Sequence, residues 1–142
     1  MFPNKLVAIV NKQIETGILM NAVAHMCVGF GAHLGHEDLH LMDYKNAEGF
    51  IYPNISKMPF IILREKNSNK IRTLLMNAKE VGLDYSVFTN TMTEGTWADQ
   101  EARTLTSQQE DIIYYGLVLF GPHEIVNKLT KKLSLYRGSN NE

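Results

Sequence analysis

The chain has 142 residues, of which 44% are hydrophobic and 20% charged. This size and composition predict one globular domain and exclude disordered, collagen-like and coiled-coil proteins. Fourteen Lys and Arg residues against fifteen Asp and Glu give a net charge of −1, so no overall field draws the chain to nucleic acid. A single cysteine, Cys27, and an N-terminus without a secretion signal favour a cytoplasmic protein. The longest apolar stretch, residues 18–32, is too short to cross a bilayer.

The predicted elements begin with a strand at residues 6–10, whose apolar sequence LVAIV is typical of a strand covered on both faces. A helix at 17–34 follows, with Thr16 as its predicted cap. This helix is apolar nearly all round, so we expect it to be mostly buried. Its polar positions Asn21 and His25 are four residues apart and form one narrow stripe, which must face something polar.

After a turn-rich connection at 35–57, strands and helices alternate along the rest of the sequence. The strands are predicted at 58–63, 84–89 and 113–120, and the helices at 67–81, 97–105 and from 122 to about 133. The sequence Thr96-Trp97-Ala98-Asp99 resembles a capping box. This order predicts an α/β fold, with helices on both faces of a small, mixed, mostly parallel, four-stranded sheet. We expect one domain over residues 1–137 and a frayed tail at 138–142.

A literal HExxH occurs at residues 36–40. Zinc hydrolases need both histidines of this motif on one face of a continuous helix. Gly35 immediately precedes the motif and a turn-rich stretch follows it, which favours a helix end. We therefore expect no metal site and no cofactor.

The candidate ligand-binding residues follow two of the predicted strands. In open α/β sheets, ligands bind beyond the carboxyl ends of strands, and the loop at 89–96 has a high density of hydrogen-bonding side chains. His25 is either a general base or a core histidine, and the loop is either a binding site or a solvated turn that Thr96 caps. The candidates are Asn11, Lys12, Asn21, His25, Thr89, Asn90, Thr91, Thr93, Glu94 and Thr96.

Several segments carry a family resemblance through their order and spacing. LVAIV, Lys12, Gly17, the helix of His25, FIIL, AKEVGLDYSVF and GLVLFGP resemble the peptidyl-tRNA hydrolase 2 fold. More closely, YPNISKMPFIILR, NSNKIRTL, FTNTMTEGT and EDIIYYGLVLFG look like an uncharacterised bacterial family, domain of unknown function 2000, which is similar to that hydrolase. The resemblance implies a homodimer. It also implies that the last strand runs antiparallel to the first, which would bring Tyr114 to the end of the sheet where the other candidates lie.

Departures from the hydrolase pattern decide which function to expect. Hydrolases of this type carry GKxAAQxAH in the first helix, and alignment on His25 places Ile18 at the lysine and Ala22 at the glutamine. Their DAGxT loop falls at residues 89–93, where no aspartate stands. The standard mechanism is therefore not expected.

Our leading hypothesis is a protein that binds a small or anionic ligand at the carboxyl ends of the strands at 6–10 and 84–89. The alternative is a hydrolase of peptidyl-tRNA or a related ester, with Lys12 and Glu94 in place of the missing groups; tRNA is not favoured, because the charge is balanced. By the same resemblance, residues 97–111 replace a short connection of the hydrolase; whether this insertion covers the site is left open by the sequence.

Overall fold

The computed structural model describes residues 2–138, and in that range it has seven strands and four α-helices. The strands are β1 (Asn4–Asn11), β2 (Leu41–Lys45), β3 (Ile51–Ser56), β4 (Phe60–Glu65), β5 (Asp84–Thr89), β6 (Tyr114–Pro122) and β7 (Ser134–Leu135). The helices are α1 (Thr16–Asp38), α2 (Ser68–Glu80), α3 (Trp97–Leu105) and α4 (His123–Thr130). Residues 139–142 of the tail predicted to fray lie outside the described residues.

Five strands form one mixed sheet in the order β5-β6-β1-β4-β7. β1 pairs with β4 in parallel, whereas β6 is antiparallel to both of its neighbours and β7 is antiparallel to β4. The prediction of a four-stranded, mostly parallel sheet was therefore wrong. β6 lies between β1 and β5, so these two strands, which run in the same direction, do not pair with each other. The predicted antiparallel direction of the last long strand is confirmed.

Helices cover both faces of this sheet, as predicted. On one face, α2 and α4 pack on β1 and β6 through side chains that include Ile9, Ile71 and Val126. On the other face, α1 packs on the sheet through Met26 and Phe30. Alternate side chains of β1 therefore point into two separate cores, which explains why residues 6–10 of this strand are all apolar.

α1 is less buried than the sequence suggested. Its buried side chains are those of Leu19, Ala22, Met26 and Phe30, one per turn, whereas Val28 on the opposite side is 78% exposed. The prediction of a mostly buried helix was therefore wrong. Length and apolarity alone would let α1 cross a membrane, but this is weak evidence, since helices that pack in a core share both properties.

The amino end of α1 also differs from the prediction. Glu15 occupies the cap position and forms no side-chain hydrogen bond there. The hydroxyl of Thr16, the predicted cap, lies 2.8 Å from the hydroxyl oxygen of Tyr136 near the carboxyl end of the described chain. This contact joins α1 to the segment that follows β7.

The predicted irregular connection at 35–57 contains a β-hairpin. Gly35, at φ +87°, interrupts α1 before its last residues, and β2 and β3 then pair with each other as a separate two-stranded sheet. The Lys57 amide donates a hydrogen bond of 3.0 Å to the His40 carbonyl oxygen and so joins the two ends of the hairpin. The chain then continues into β4. The sequence did not reveal the hairpin, because both of its faces are exposed and neither shows the alternation of a half-buried strand.

Candidate ligand-binding cleft

A cleft of about 780 Å³ lies between α1, β5 and α3. Its apolar lining comes from Met26, Val87, Phe88, Met92, Trp97 and Leu105, and its polar lining from His25, Ser86, Gln100, Glu101 and Thr104. This volume is in the range of small-molecule sites, which are typically apolar with a few polar groups that fix orientation.

His25 stands on the α1 wall of the cleft, above β5. Its ring lies 5.5 Å from the ring of Phe88, at 30° between the two planes. The side chain of His25 is exposed, whereas that of Phe88 is buried. The geometry therefore does not support a core histidine, and it leaves the imidazole of His25 accessible from the cleft.

α3 forms the opposite wall, and a capping box fixes its first turn as predicted. The Thr96 side chain accepts a hydrogen bond from the Asp99 amide at 3.2 Å, and Asp99 Oδ2 accepts one from the Thr96 amide at 3.0 Å. Hydrogen bonds from the backbone and then the side chain of Thr96 hold the pKa of the Asp99 carboxyl below its usual value. This cap sets the direction in which α3 leaves the loop.

The threonines of the 89–96 loop are engaged mainly with one another and with α3. The hydroxyls of Thr89 and Thr91, both buried, lie 2.7 Å apart, and the hydroxyl of Thr104 lies 2.9 Å from that of Thr91. The Arg103 guanidinium donates to the carbonyl oxygens of Thr91 and Glu94, each at 3.1 Å. The high density of polar groups in this loop therefore serves to fasten α3 to the sheet.

Two further loop candidates also have local hydrogen-bond partners. The Asn90 side-chain oxygen accepts a hydrogen bond from the Ile113 amide at 2.9 Å, which ties the loop to the start of β6. The Thr93 hydroxyl donates to the Asn90 carbonyl oxygen at 2.7 Å. Both side chains thus stabilise the turn.

The candidates near the end of β1 lie elsewhere on the sheet edge. The Asn11 side chain is buried, donates to the Tyr114 carbonyl oxygen at 3.0 Å and accepts from the Gln13 amide at 2.9 Å. Tyr114 is itself buried in the core beneath α2. The Lys12 amide donates to the Glu65 carbonyl oxygen at 3.0 Å, which places Lys12 beside the end of β4.

Of the eleven predicted site residues, His25 alone lines the cleft. Lys12 and Glu94, which the hydrolase alternative needs, do not, and Asn21 lies exposed on α1. Sequence reasoning missed Trp97 and the side chains of α3. The available signal was a tryptophan and a leucine eight residues apart in an otherwise polar helix, which places both on one side of it.

The HExxH and the cysteine lie in surroundings that differ from those of zinc hydrolases and of nucleophilic thiols. Gly35 interrupts the helix before the motif, and His40 has φ +52° beyond its end, so His36 and His40 do not share one continuous helix. Within residues 2–138, no group of three or more His, Cys, Asp or Glu side chains is arranged to hold a metal ion. Burial raises the pKa of the Cys27 thiol, which disfavours the nucleophilic thiolate.

The fold and the cleft define an α/β domain in which α1, α3 and one face of a five-stranded mixed sheet border an open, mainly apolar pocket. The chain belongs to the family described as "Protein of unknown function (DUF2000)", which matches residues 4–137. It shares its fold with the solved structure of a protein of unknown function from Agrobacterium tumefaciens str. C58. The two chains are 19% identical with a TM-score of 0.82, over 96% of this chain and 100% of the other.

No curated protein matches the chain. At 19% identity, the likeness to the Agrobacterium protein concerns the fold alone. The similarity to peptidyl-tRNA hydrolase 2 stays a prediction.

Proposed function

We propose that this protein binds a small molecule with a flat, mainly apolar ring system in the cleft between α1, β5 and α3. The observation that carries the proposal is the orientation of Trp97 and Leu105. Both side chains line the cleft, yet they are 74% and 79% exposed, because α3 does not press them against the sheet. Large apolar side chains that border an open cleft gain free energy when a ligand covers them.

The aromatic groups of the cleft favour a planar ligand. Phe88 lies at the base with the His25 ring beside it, and the Trp97 indole borders the same space from α3. Offset-stacked and edge-to-face contacts between rings add about 0.5–1.5 kcal/mol to the burial of area. A flat ligand between the two walls makes such contacts on both of its sides.

The polar lining determines which charge the ligand carries. Glu101 and Gln100 line the cleft on α3, and among the described residues 2–138 no lysine or arginine lines it. A neutral or cationic ligand therefore fits better than the anionic one that the sequence also allowed. Glu101 would accept a hydrogen bond from such a ligand, while the His25 imidazole would donate or accept one.

A fluorescence titration tests this proposal directly, because Trp97 is the only tryptophan of the chain. We expect Nile red, a neutral planar dye, to quench Trp97 emission on binding. Leu105→Ser should weaken this quenching about tenfold, as expected for the loss of one apolar contact. A panel of neutral and cationic aromatic metabolites can then compete with the dye.

The matched control is Val81→Ser, which removes an exposed apolar side chain just after α2, outside the cleft lining. This variant should bind the dye like the wild type. If no member of the panel and no dye changes Trp97 emission, or if Leu105→Ser and Val81→Ser behave alike, the cleft is not the binding site.

A further inference from the structure

The β2–β3 hairpin presents apolar side chains that nothing in the described chain covers. Within residues 2–138, its extensive contacts are between its own two strands. Its exposed large side chains are Tyr44, Phe50, Ile51, Tyr52 and Ile55. A two-stranded hairpin alone is at best marginally stable in water. These side chains would therefore gain stability from a second surface.

A second exposed apolar surface lies between α1 and β4 of the same molecule, and the hairpin does not contact it. α1 packs mainly on β5 and β6, and this leaves the α1-facing side of β4 open. Ile62 on that side is 36% exposed, and Met20 on the flank of α1 is 69% exposed. A groove of about 310 Å³ runs between them, lined by Val10, Thr16, Leu19, Met20, Val23, Ala24, Ile62 and Tyr136.

We propose that a second copy of this chain covers both surfaces, with the hairpin of each copy lying in the α1–β4 groove of the other. The hairpin follows the carboxyl end of α1, and the groove flanks the amino-terminal half of the same helix. A two-fold axis that sets the two α1 helices antiparallel places each hairpin beside the groove of the other copy. Such a closed, isologous contact is the commonest form of a homodimer.

The exposed area matches what a stable dimer requires. The five hairpin side chains, with Met20, Phe60 and Ile62, are each 36–69% exposed. Successive side chains of a strand point to opposite faces, and Tyr44, Phe50 and Tyr52 share one face of the hairpin. With about 200 Å² for a fully exposed large side chain, these three with Met20, Phe60 and Ile62 present about 600 Å² per copy. A dimer would thus bury about 1,200 Å² in total, which is the lower end of the range for stable interfaces. The net charge of −1 opposes self-association only weakly. These properties favour a second copy over a membrane or a charged partner.

Light scattering coupled to size exclusion tests the dimer. At about 50 µM, the wild type should have twice the 16.1 kDa mass of one chain. Tyr52→Glu in the hairpin and Met20→Glu in the groove should each have the mass of one chain. Circular dichroism should show that both variants remain folded. The control is Val81→Glu, which replaces an exposed apolar side chain at the carboxyl end of α2. This variant should remain a dimer. A monomeric wild type, or a dimer that survives both substitutions, would overturn the proposal.

Cross-linking tests the exchange itself. In a Cys27→Ala background, chains carrying Tyr52→Cys are mixed with chains carrying Met20→Cys and treated with a short bis-maleimide. We expect a cross-linked heterodimer, and little homodimer from either chain alone. If Tyr52→Cys chains cross-link mainly with each other, the hairpins meet at the axis and the proposed exchange is wrong.

Discussion

The Asn11 side chain and the Tyr114 backbone are joined by a hydrogen bond of 3.0 Å that links the end of β1 to the start of β6. Both residues are buried, and the Asn11 oxygen also accepts from the Gln13 amide. The Asn11 amide is thus occupied on both sides within the fold. It holds the sheet edge together and is not directed at a ligand.

We therefore expect Asn11→Ala to lower the free energy of unfolding by about 2 kcal/mol, because it leaves buried backbone groups without partners. Urea unfolding measures this change. The control is Asn21→Ala on the exposed face of α1, which should stay within about 0.5 kcal/mol of the wild type. If both substitutions change the free energy of unfolding by the same small amount, the Asn11 side chain does not stabilise the fold.

Gly95 lies in the turn before α3 with φ +81°, and a Cβ there would stand 2.7 Å from Asp99 Oδ2. Gly95→Ala should lower the free energy of unfolding by about 1 kcal/mol or more, through backbone strain and displacement of the cap. Gly29→Ala in α1 meets no atom within 4 Å and should raise it by about 0.5–1 kcal/mol. Thermal unfolding measures both changes in the free energy of unfolding. Opposite signs would confirm the strained turn at Gly95, and equal signs would contradict it.

The lowered pKa of Asp99 predicts how the cap of α3 depends on pH. Since folding lowers this pKa, the cap stabilises α3 at pH values well above about 4, the ordinary pKa of an aspartate. This stabilisation is lost as the pH falls through the folded pKa. Amide hydrogen exchange of α3 should be slower in the wild type than in Asp99→Asn at pH 6, and the difference should be smaller near pH 3, below the ordinary pKa of an aspartate.

A matched substitution shows whether this effect belongs to the cap. Glu101→Gln changes an exposed carboxyl on the same helix that takes no part in the capping box. Its exchange rates should follow those of the wild type at both pH values. If Glu101→Gln behaves like Asp99→Asn, the net charge of the helix causes the effect, and not the hydrogen bond to Thr96.

The protein should hydrolyse peptidyl-tRNA more than about 100-fold more slowly than a genuine hydrolase under the same conditions, since the lysine, glutamine and aspartate of that pattern are missing. Ile18 and Ala22 stand at the positions of the lysine and the glutamine. Single-turnover release of the peptide from labelled substrate measures the rate. A rate within about tenfold, abolished by His25→Ala, would restore the hydrolase alternative.

The sequence predicted elements well wherever one face of an element is buried. α2 follows the predicted helix at 67–81 closely, because its apolar residues Ile71, Leu74, Leu75 and Ala78 repeat with the helical period and are buried. β5 agrees residue for residue with the predicted strand at 84–89. The capping box at Thr96 was also read correctly, since it depends only on local spacing.

The candidate site was harder to predict, because the polar residues after β5 have two competing uses. Threonine hydroxyls serve a ligand or the backbone equally well, and only the fold shows that Thr91 bonds to Thr104 and Thr89. The same limit applied to α1, whose outer face is apolar without being buried by its own chain. Amino-acid pattern cannot distinguish a side chain buried in its own core from one left for a ligand or a second copy.

The position of β6 has a consequence for synthesis on the ribosome. β1 and β5 both hydrogen-bond to β6, which begins only at Tyr114, more than one hundred residues after β1. Until β6 has emerged, β1 and β5 lack their common neighbour, and each exposes an unpaired edge. The sheet can therefore close only after β6 has been synthesised, and until then the unpaired strand edges make the nascent chain prone to aggregation.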